Sequence, residues 1–300
     1  MKKVMFILAA ACMTAAANAK ILRVSNVSGS SAPYSSIEAA HDAASSGDTI
    51  MVDGSNAKYG GDYGKYDITK KLVIIGPGYW LVEDGAVAEG ASSAYIATLN
   101  LKTEGIVVKG MSIGNLNISG AKAVINRCHI GGLSFSSGAD NGVVSQCYIT
   151  GTPSGANYIQ MTNNIFTSTT AYNLLSGFKN SYIAYNTFRN KNVQLSSVTN
   201  TTIEHNLWKE IKNSSTTNSL NDNYSTDIIN TQATNDFIDK DYYALEIPTD
   251  VISKYGAFAG DSPYILAGVP SGPVIQDLVV PTTVEMGSKM NVTVKIGMVK

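Results

Sequence analysis

A six-residue pattern of hydrophobic positions recurs between residues 108 and 208. Each copy starts on an apolar residue, has a compact residue at its fourth position and ends on a large apolar residue. The fourth positions lie 17, 19, 17, 22 and 20 residues apart, which is too irregular for a coiled coil but close to one coil of a β-solenoid. Because so short a repeat cannot bury an apolar face alone, we predict that successive copies stack. The copies are Val108-x-x-Met111-x-Ile113, Ile125-x-x-Cys128-x-Ile130, Val144-x-x-Cys147-x-Ile149, Met161-x-x-Asn164-x-Phe166, Ile183-x-x-Asn186-x-Phe188 and Ile203-x-x-Asn206-x-Trp208.

The first and last positions of each copy are predicted to point into the solenoid. The fourth position is predicted to turn the corner between strands, where asparagine tolerates an unusual backbone angle and hydrogen-bonds to the next asparagine along the stack. The last position changes from isoleucine to Phe166, Phe188 and Trp208, which predicts face-to-face aromatic stacking in the later coils. A second inward pair follows several copies: Leu116/Ile118, Leu133/Phe135 and Val193/Leu195.

The segment before the repeats is predicted to close one end of the solenoid. Residues 35–44 have the spacing of a short amphipathic helix, and strands are predicted at 49–52 and 71–75. The helix would cover the apolar side chains and unpaired strand edge of the open end.

After Lys212 the pattern fades into a polar loop at 213–219 and a Gly/Pro-rich connection at 256–273. Two alternating runs then predict an antiparallel hairpin, either capping the other end or starting a further module. The runs are 274–280 and 290–296.

The N-terminal residues and the asparagine positions together resemble secreted right-handed parallel β-helix proteins of the pectate-lyase-like superfamily, over roughly residues 34 to 210. This superfamily includes polysaccharide lyases, glycoside hydrolases and many uncharacterised surface proteins, so the resemblance implies a fold without selecting an activity. The residues that carry it are Tyr34-Ser35-Ser36-Ile37-Glu38-Ala39-Ala40, Gly47-Asp48-Thr49-Ile50, Ile68-x-Lys70-Lys71-Leu72, and the asparagines Asn164, Asn186 and Asn206.

The predicted fold class is therefore all-β: a single-stranded right-handed parallel β-helix with a short N-terminal capping helix and a C-terminal β-hairpin. The predicted divisions are a signal peptide at 1–19, a β-helix domain at 20–273 with its cap at 20–52 and an irregular last coil at 213–273, and the hairpin or truncated module at 274–300.

The first nineteen residues have the features of a cleaved secretory signal. Lys2 and Lys3 precede a short apolar run, and Ala17-Asn18-Ala19 is a small-residue cleavage site. The expected location is therefore secreted, periplasmic or at the cell surface, with no membrane span. A lipid anchor at Cys12 is the alternative outcome of processing.

Without residues 1–19 the chain has 20 basic and 23 acidic side chains, so it offers no basic stripe to nucleic acid. We therefore expect no nucleic-acid partner. We also expect a monomer. Cys128 and Cys147 occupy the same position in consecutive copies. We expect two buried free thiols, with a disulfide as the alternative, because export permits oxidation.

The outward residues beside the fourth positions are the candidate binding site. Arg127, His129, Gln146 and Tyr148 are predicted to form one patch on adjacent coils, and Tyr185 and His205 another. Aromatic rings beside amide and guanidinium groups suit the face and hydroxyls of a sugar. The alternative is that they are ordinary solvated strand residues. The column before the fourth positions is Gly110, Arg127, Gln146, Asn163, Tyr185 and His205, and the column after them is Ser112, His129, Tyr148, Ile165, Thr187 and Leu207.

Catalysis is disfavoured by the scarcity of acids in the repeats. Asp140 and Glu204 are the only ones between residues 106 and 206, whereas hydrolysis needs two carboxylates and calcium needs several oxygen ligands. For the adjacent Glu204 and His205 a surface salt bridge is favoured over acid–base chemistry. No cofactor is identified. Five acids lie close enough in sequence to make calcium the candidate ion, but their spacing matches no calcium loop, so a solvated turn region is favoured. They are Asp222, Asp227, Asp236, Asp239 and Asp241.

These observations favour an exported, non-catalytic β-helix protein that binds a polysaccharide or a cell-surface glycan. The first alternative is a polysaccharide lyase or glycoside hydrolase that acts on an acidic or plant-type glycan. The second is a structural or adhesive stalk.

Overall fold

A computed structural model describes residues 19–60, 64–79, 81, 92–167, 173–189, 192–226, 247–279 and 292–299. Within these residues the chain is a right-handed parallel β-helix, as the sequence predicts. Three parallel sheets, here called A, B and C, form its walls, and a short antiparallel hairpin follows at the C-terminal end.

Sheet A has ten strands and sheet B nine. Sheet A contains β1 (Ile21–Val24), β2 (Thr49–Val52), β4 (Val73–Ile75), β6 (Val107–Lys109), β8 (Val124–Asn126), β10 (Val143–Ser145), β12 (Gln160–Thr162), β15 (Tyr182–Ala184), β18 (Thr202–Glu204) and β21 (Ser219–Asn221). Sheet B contains β3 (Lys65–Ile68), β5 (Tyr95–Leu101), β7 (Ser112–Ile118), β9 (His129–Phe135), β11 (Tyr148–Ile149), β13 (Ile165–Thr167), β16 (Thr187–Arg189), β19 (Leu207–Trp208) and β22 (Tyr224–Ser225). Sheet C contains β14 (Asn173–Ser176), β17 (Val193–Ser196) and β20 (Ile211–Lys212).

Equivalent residues of successive copies lie directly over one another. Ile125 of β8 pairs with Val108 on one side and Val144 on the other, and Ile113 of β7 pairs with Ile130 of β9. The first and last positions of all six copies are at most 2 % exposed, as are most residues of the second inward pairs. The hydrophobic core is therefore one continuous column along the axis, because each side chain packs against its equivalents above and below.

The fourth positions form a buried ladder of hydrogen bonds. The side-chain oxygen of Asn186 accepts from the backbone N–H of Asn164 at 2.9 Å and from its amide nitrogen at 3.0 Å. Asn206 does the same for Asn186, and Asn223 adds a further step that the sequence pattern does not predict. Cys128 and Cys147 continue the file as buried free thiols, as expected, and the backbone N–H of Cys147 donates to Asn164 Oδ1.

The corner between sheets A and B is made one residue earlier than predicted. The left-handed backbone angle belongs to the residue before each fourth position, for example Arg127 with φ 54° and His205 with φ 53°. This conformation interrupts the strand alternation, so that the first and fourth positions both face inward. The ladder asparagines need that orientation, because their amides bond to the adjacent coils inside the wall.

Aromatic stacking in the core is confirmed for one of the two predicted pairs. The rings of Phe166 and Phe188 lie 4.7 Å apart and 8° from parallel. Those of Phe188 and Trp208 are 6.1 Å apart and tilted by 48°. In this tilted orientation the indole N–H of Trp208 donates to Ser225 Oγ at 3.0 Å.

The N-terminal end is closed by helix α1 (Ile37–Ala43), close to the predicted 35–44. Its Ser36 cap accepts from the N–H of Ala39, and Ile37 and Ala40 are fully buried against the first coil. Strands β1, β3 and β5 are absent from the sequence prediction.

At the other end, the coils continue to Ser225, beyond the predicted limit at Lys212. A short helix α2 (Thr249–Ile252) and a 3-10 turn (Leu266–Gly268) follow. Strands β23 (Gly272–Val279) and β24 (Thr293–Val299) then form the predicted antiparallel hairpin.

Candidate functional site

Residues 247–270, here called the strap, run back along the solenoid and cover the outward residues beside the fourth positions. Hydrogen bonds fasten the strap to one coil after another, from the last coils toward the first. They are Gly256 N–H to His205 O at 2.8 Å, Asn163 Nδ2 to Ala259 O at 2.8 Å, Gln146 Nε2 to Pro263 O at 2.6 Å and Arg127 Nη1 to Val269 O at 2.9 Å.

A second hydrophobic cluster lies beneath the strap, outside the main core. Tyr148, Ile165 and Leu207 of sheet B pack in this cluster with Val251 and Tyr264 of the strap. Ile165 and Leu207 stand at outward positions of the repeat and are at most 1 % exposed. Apolar residues at predicted solvent positions were the sequence signal that another segment covers this face.

Three of the four members of the first predicted patch lie beneath the strap rather than in solvent. Arg127, Gln146 and Tyr148 are only 5 %, 7 % and 4 % exposed. The structure does bring Arg127 and Gln146 together, since Arg127 Nε donates to Gln146 Oε1 at 2.9 Å. Both side chains donate hydrogen bonds to carbonyl oxygens of the strap. The strap therefore lies between these two residues and any ligand that approaches this face.

His129 is the fourth member, and it lies between two tyrosine rings. Its ring centroid is 5.7 Å from that of Tyr79 and 5.5 Å from that of Tyr148, and Nδ1 is 3.3 Å from Ser112 Oγ. Burial lowers the pKa of His129 to about 4, because the charged imidazolium loses its hydration there.

Protonation of His129 should make the fold sensitive to acid. In the unfolded chain His129 becomes protonated below about pH 6.5, whereas in the folded chain it stays neutral down to about pH 4. The free energy of unfolding therefore decreases as the pH falls through this window. When the pH is lowered from about 7 to about 5, the free energy of unfolding should decrease by roughly 2 kcal/mol less in His129→Gln than in the wild type. Urea unfolding at both pH values measures this difference, and identical losses in the two proteins would contradict the assignment.

Tyr185 and His205, the second predicted patch, remain half-exposed at the start of the strap. Their rings stack at 4.8 Å and 11°. Tyr255 of the strap lies 6.2 Å from His205, and Tyr224 of β22 lies 5.5 Å from Tyr255. We call these four residues, with Asp222, the aromatic cluster.

Asp222 supplies the acidic group of the aromatic cluster. Tyr255 Oη donates to Asp222 Oδ1 at 2.7 Å, and His205 Nδ1 lies 3.3 Å from Oδ2. The hydrogen bond to Asp222 is the main reason why the pKa of Tyr255 is raised. Asp222 occupies the left-handed corner, with φ 44°, in the coil after His205. The sequence pattern missed Asp222, Tyr224 and Tyr255 because it ended one coil too early and left the strap unplaced.

Glu204 and His205 face different partners, although they are neighbours in sequence. Glu204 accepts a hydrogen bond from Tyr182 Oη at 2.8 Å, whereas His205 faces Asp222. Burial, followed by this bond to Glu204, raises the pKa of Tyr182 to about 12. His205 therefore has a carboxylate neighbour in Asp222, and Glu204 binds the hydroxyl of Tyr182.

A row of amide, hydroxyl and carboxylate side chains follows the outside of the solenoid on another part of its surface. Asn117 Nδ2 donates to Asn100 Oδ1 at 2.9 Å, and Asn100 Nδ2 donates to Asp67 Oδ1 at 2.6 Å. Further along, Ser154 Oγ donates to Ser134 Oγ at 3.1 Å. We call this row the polar row. Its members, one per coil, are Asp67, Asn100, Asn117, Ser134, Ser154, Ser176 and Ser196.

In the described part of the chain, no three His, Cys, Asp or Glu side chains are grouped so that they could hold a metal ion. Of the five acids considered for calcium, only Asp222 lies within the described residues. Among the helices described, none combines the length and apolar character needed to cross a membrane.

Comparisons with protein-family models, with curated proteins and with solved structures found no match. The pairing of the strands and the geometry of the side chains are therefore the basis for any functional conclusion.

Proposed function

We propose that this chain is an exported, non-catalytic β-helix protein that binds a polysaccharide or a cell-surface glycan through the aromatic cluster. The observation that carries the proposal is a series of half-exposed rings in contact with one another, with the Asp222 carboxylate bonded to one of them, Tyr255. The rings are Tyr185, His205, Tyr255 and Tyr224. The signal-like first nineteen residues support export, and a glycan ligand is compatible with the resemblance to a superfamily that includes polysaccharide lyases and glycoside hydrolases.

Sugars present an apolar face of C–H groups and a rim of hydroxyls. An aromatic ring can contact the first, and carboxylate or amide groups can hydrogen-bond to the second. The aromatic cluster offers both within one surface, and the hydrogen bond from Tyr255 already orients its carboxylate. Such orientation before binding lowers the entropic cost of association.

Retention of the mature protein on a panel of immobilised polysaccharides tests this function. We expect retention on at least one glycan without new ultraviolet absorbance from unsaturated products and without new reducing ends. Either chemical signal would replace the proposal with the lyase or hydrolase alternative. Absence of retention on every glycan would favour the stalk.

Removal of one ring tests the site itself. Tyr255→Ala should weaken retention about fivefold, because an aromatic contact contributes roughly 1 kcal/mol. Tyr158→Ala is the matched control, since Tyr158 is 55 % exposed and lies outside the aromatic cluster. Equal losses in the two variants would show that the aromatic cluster is not the contact surface.

A further inference from the structure

We propose that the C-terminal hairpin of β23 and β24 docks on the outer face of sheet A in the same chain, where it covers an apolar surface of the first coils. The inference goes beyond the proposed function and does not depend on it. It gives the hairpin a role other than the two that the sequence pattern suggests, because a docked hairpin belongs to the wall of the solenoid.

The outer side of sheet A is apolar from β2 to β10. Val107 pairs with Val73 on one side and with Val124 on the other, and Val143 continues this column. The next residue of the column is Gln160, where the apolar surface ends. Six outward residues are partly exposed and belong to neither hydrophobic cluster of the described residues, as expected of a surface that another segment covers. We call them the valine face: Met51, Val73, Ile75, Val107, Val124 and Val143.

The hairpin has an apolar side of its own. Strand alternation places three pairs of apolar residues on that side, whereas Asp277 and Lys295 pair on the other. Val294 is 46 % exposed, and Val292, two residues earlier, is 43 % exposed. A two-stranded hairpin has marginal stability alone, so burial of this side against another sheet would stabilise it. The three pairs are Leu278/Val294, Ile275/Ile296 and Pro273/Met298.

The strap brings the hairpin to the edge of the valine face. Its last hydrogen bond joins Val269 O to Arg127 Nη1. Pro270 then lies so close to Gly110, the residue after β6, that a Cβ atom at Gly110 would be 2.6 Å from Cγ of Pro270. Strand β23 begins two residues later, at Gly272. So short a link gives the hairpin a far higher effective concentration at its own sheet A than a second copy of the chain would have.

The dimensions of the two surfaces agree. Neighbouring coils are about 4.8 Å apart, so the valine face extends about 19 Å along the axis from β2 to β10. Strand β24 has seven residues and is therefore about 20 Å long. A hairpin that lies along the axis would cover most of the face, and its strands would cross those of sheet A at about 90°, one of the two orientations in which sheets pack.

Photo-cross-linking in the mature full chain identifies what covers the valine face. Benzoylphenylalanine replaces Val107, and a mixture of unlabelled and isotope-labelled chains shows by mass spectrometry whether each cross-link joins one chain or two. We expect cross-links from position 107 to residues 272–299 of the same chain. The same probe at Asn117, which is exposed in the polar row of sheet B, should give none. Cross-links between two chains, or no cross-link to residues 272–299, would overturn the proposal.

Val124→Asp should release the hairpin, because it replaces apolar contact surface with a charge. Backbone amides of β23 and β24 should then exchange hydrogen at least about tenfold faster than in the wild type. Val124→Ile keeps the apolar surface and should exchange as the wild type does, and Asn117→Asp controls for an added carboxylate outside the valine face. Exchange of the β8 amides reports whether the solenoid itself stays folded. Equal hairpin exchange in Val124→Asp and the wild type would contradict docking.

Discussion

Asn186→Leu should lower the free energy of unfolding by about 2–6 kcal/mol, the largest effect we expect from a single substitution. Asn186 is fully buried. Its side chain accepts from the backbone N–H of Asn164 and donates to the carbonyl oxygen of Met161. Leucine has a similar volume but no polar atom, so both backbone groups would lose a buried partner, at roughly 1–3 kcal/mol each. Urea denaturation followed by circular dichroism measures the change.

Asn117→Leu provides the matched control for this substitution. Asn117 is exposed in the polar row, and its amide donates to Asn100 rather than to buried backbone. Its replacement should change stability by no more than about 0.5 kcal/mol. If the two variants were equally stable, the ladder would contribute nothing beyond the filling of space.

Phe188→Ala should lower the free energy of unfolding by about 3–5 kcal/mol, the range for large-to-small changes in a packed core. Phe188 is fully buried and stacks on Phe166, and its other neighbour along the axis is Trp208. Because coils above and below are joined by strand pairing, the wall cannot collapse into the space that the ring leaves. The surface variant Tyr158→Ala should remain near wild type, and a similarly small effect of Phe188→Ala would mean that Phe188 contributes little to the core.

The solenoid could be predicted from the sequence because its core obeys a local rule. Val108, Ile125 and Val144 each stand three residues before a compact buried residue, and the stack converts that spacing into a column. Strands β1 and β3 were missed because neither carries a copy of the pattern and charged residues interrupt their apolar positions, Arg23 in β1 and Lys65 and Asp67 in β3. Asn223 was missed because the residue that stacks on Trp208 is Ser225 rather than a large apolar residue.

The face of the solenoid that meets solvent could not be predicted in the same way. Outward positions of a repeat indicate only that a side chain leaves the core, and a distant segment can still cover them. Arg127 is bound to Val269, 142 residues away, and no local spacing encodes that contact. Tyr185 is half-exposed where the strap passes it with Gly260, which has no side chain.

The path of the strap limits how this protein can change its length. Its bonds to His205, Asn163, Gln146 and Arg127 follow the spacing of the coils between them. Deletion or duplication of one complete coil within 128–204 would leave the strap too long or too short by about 4.8 Å. Gain and loss of whole repeats, the usual route by which solenoids vary in size, should therefore be tolerated only outside this interval, unless residues 247–270 change at the same time.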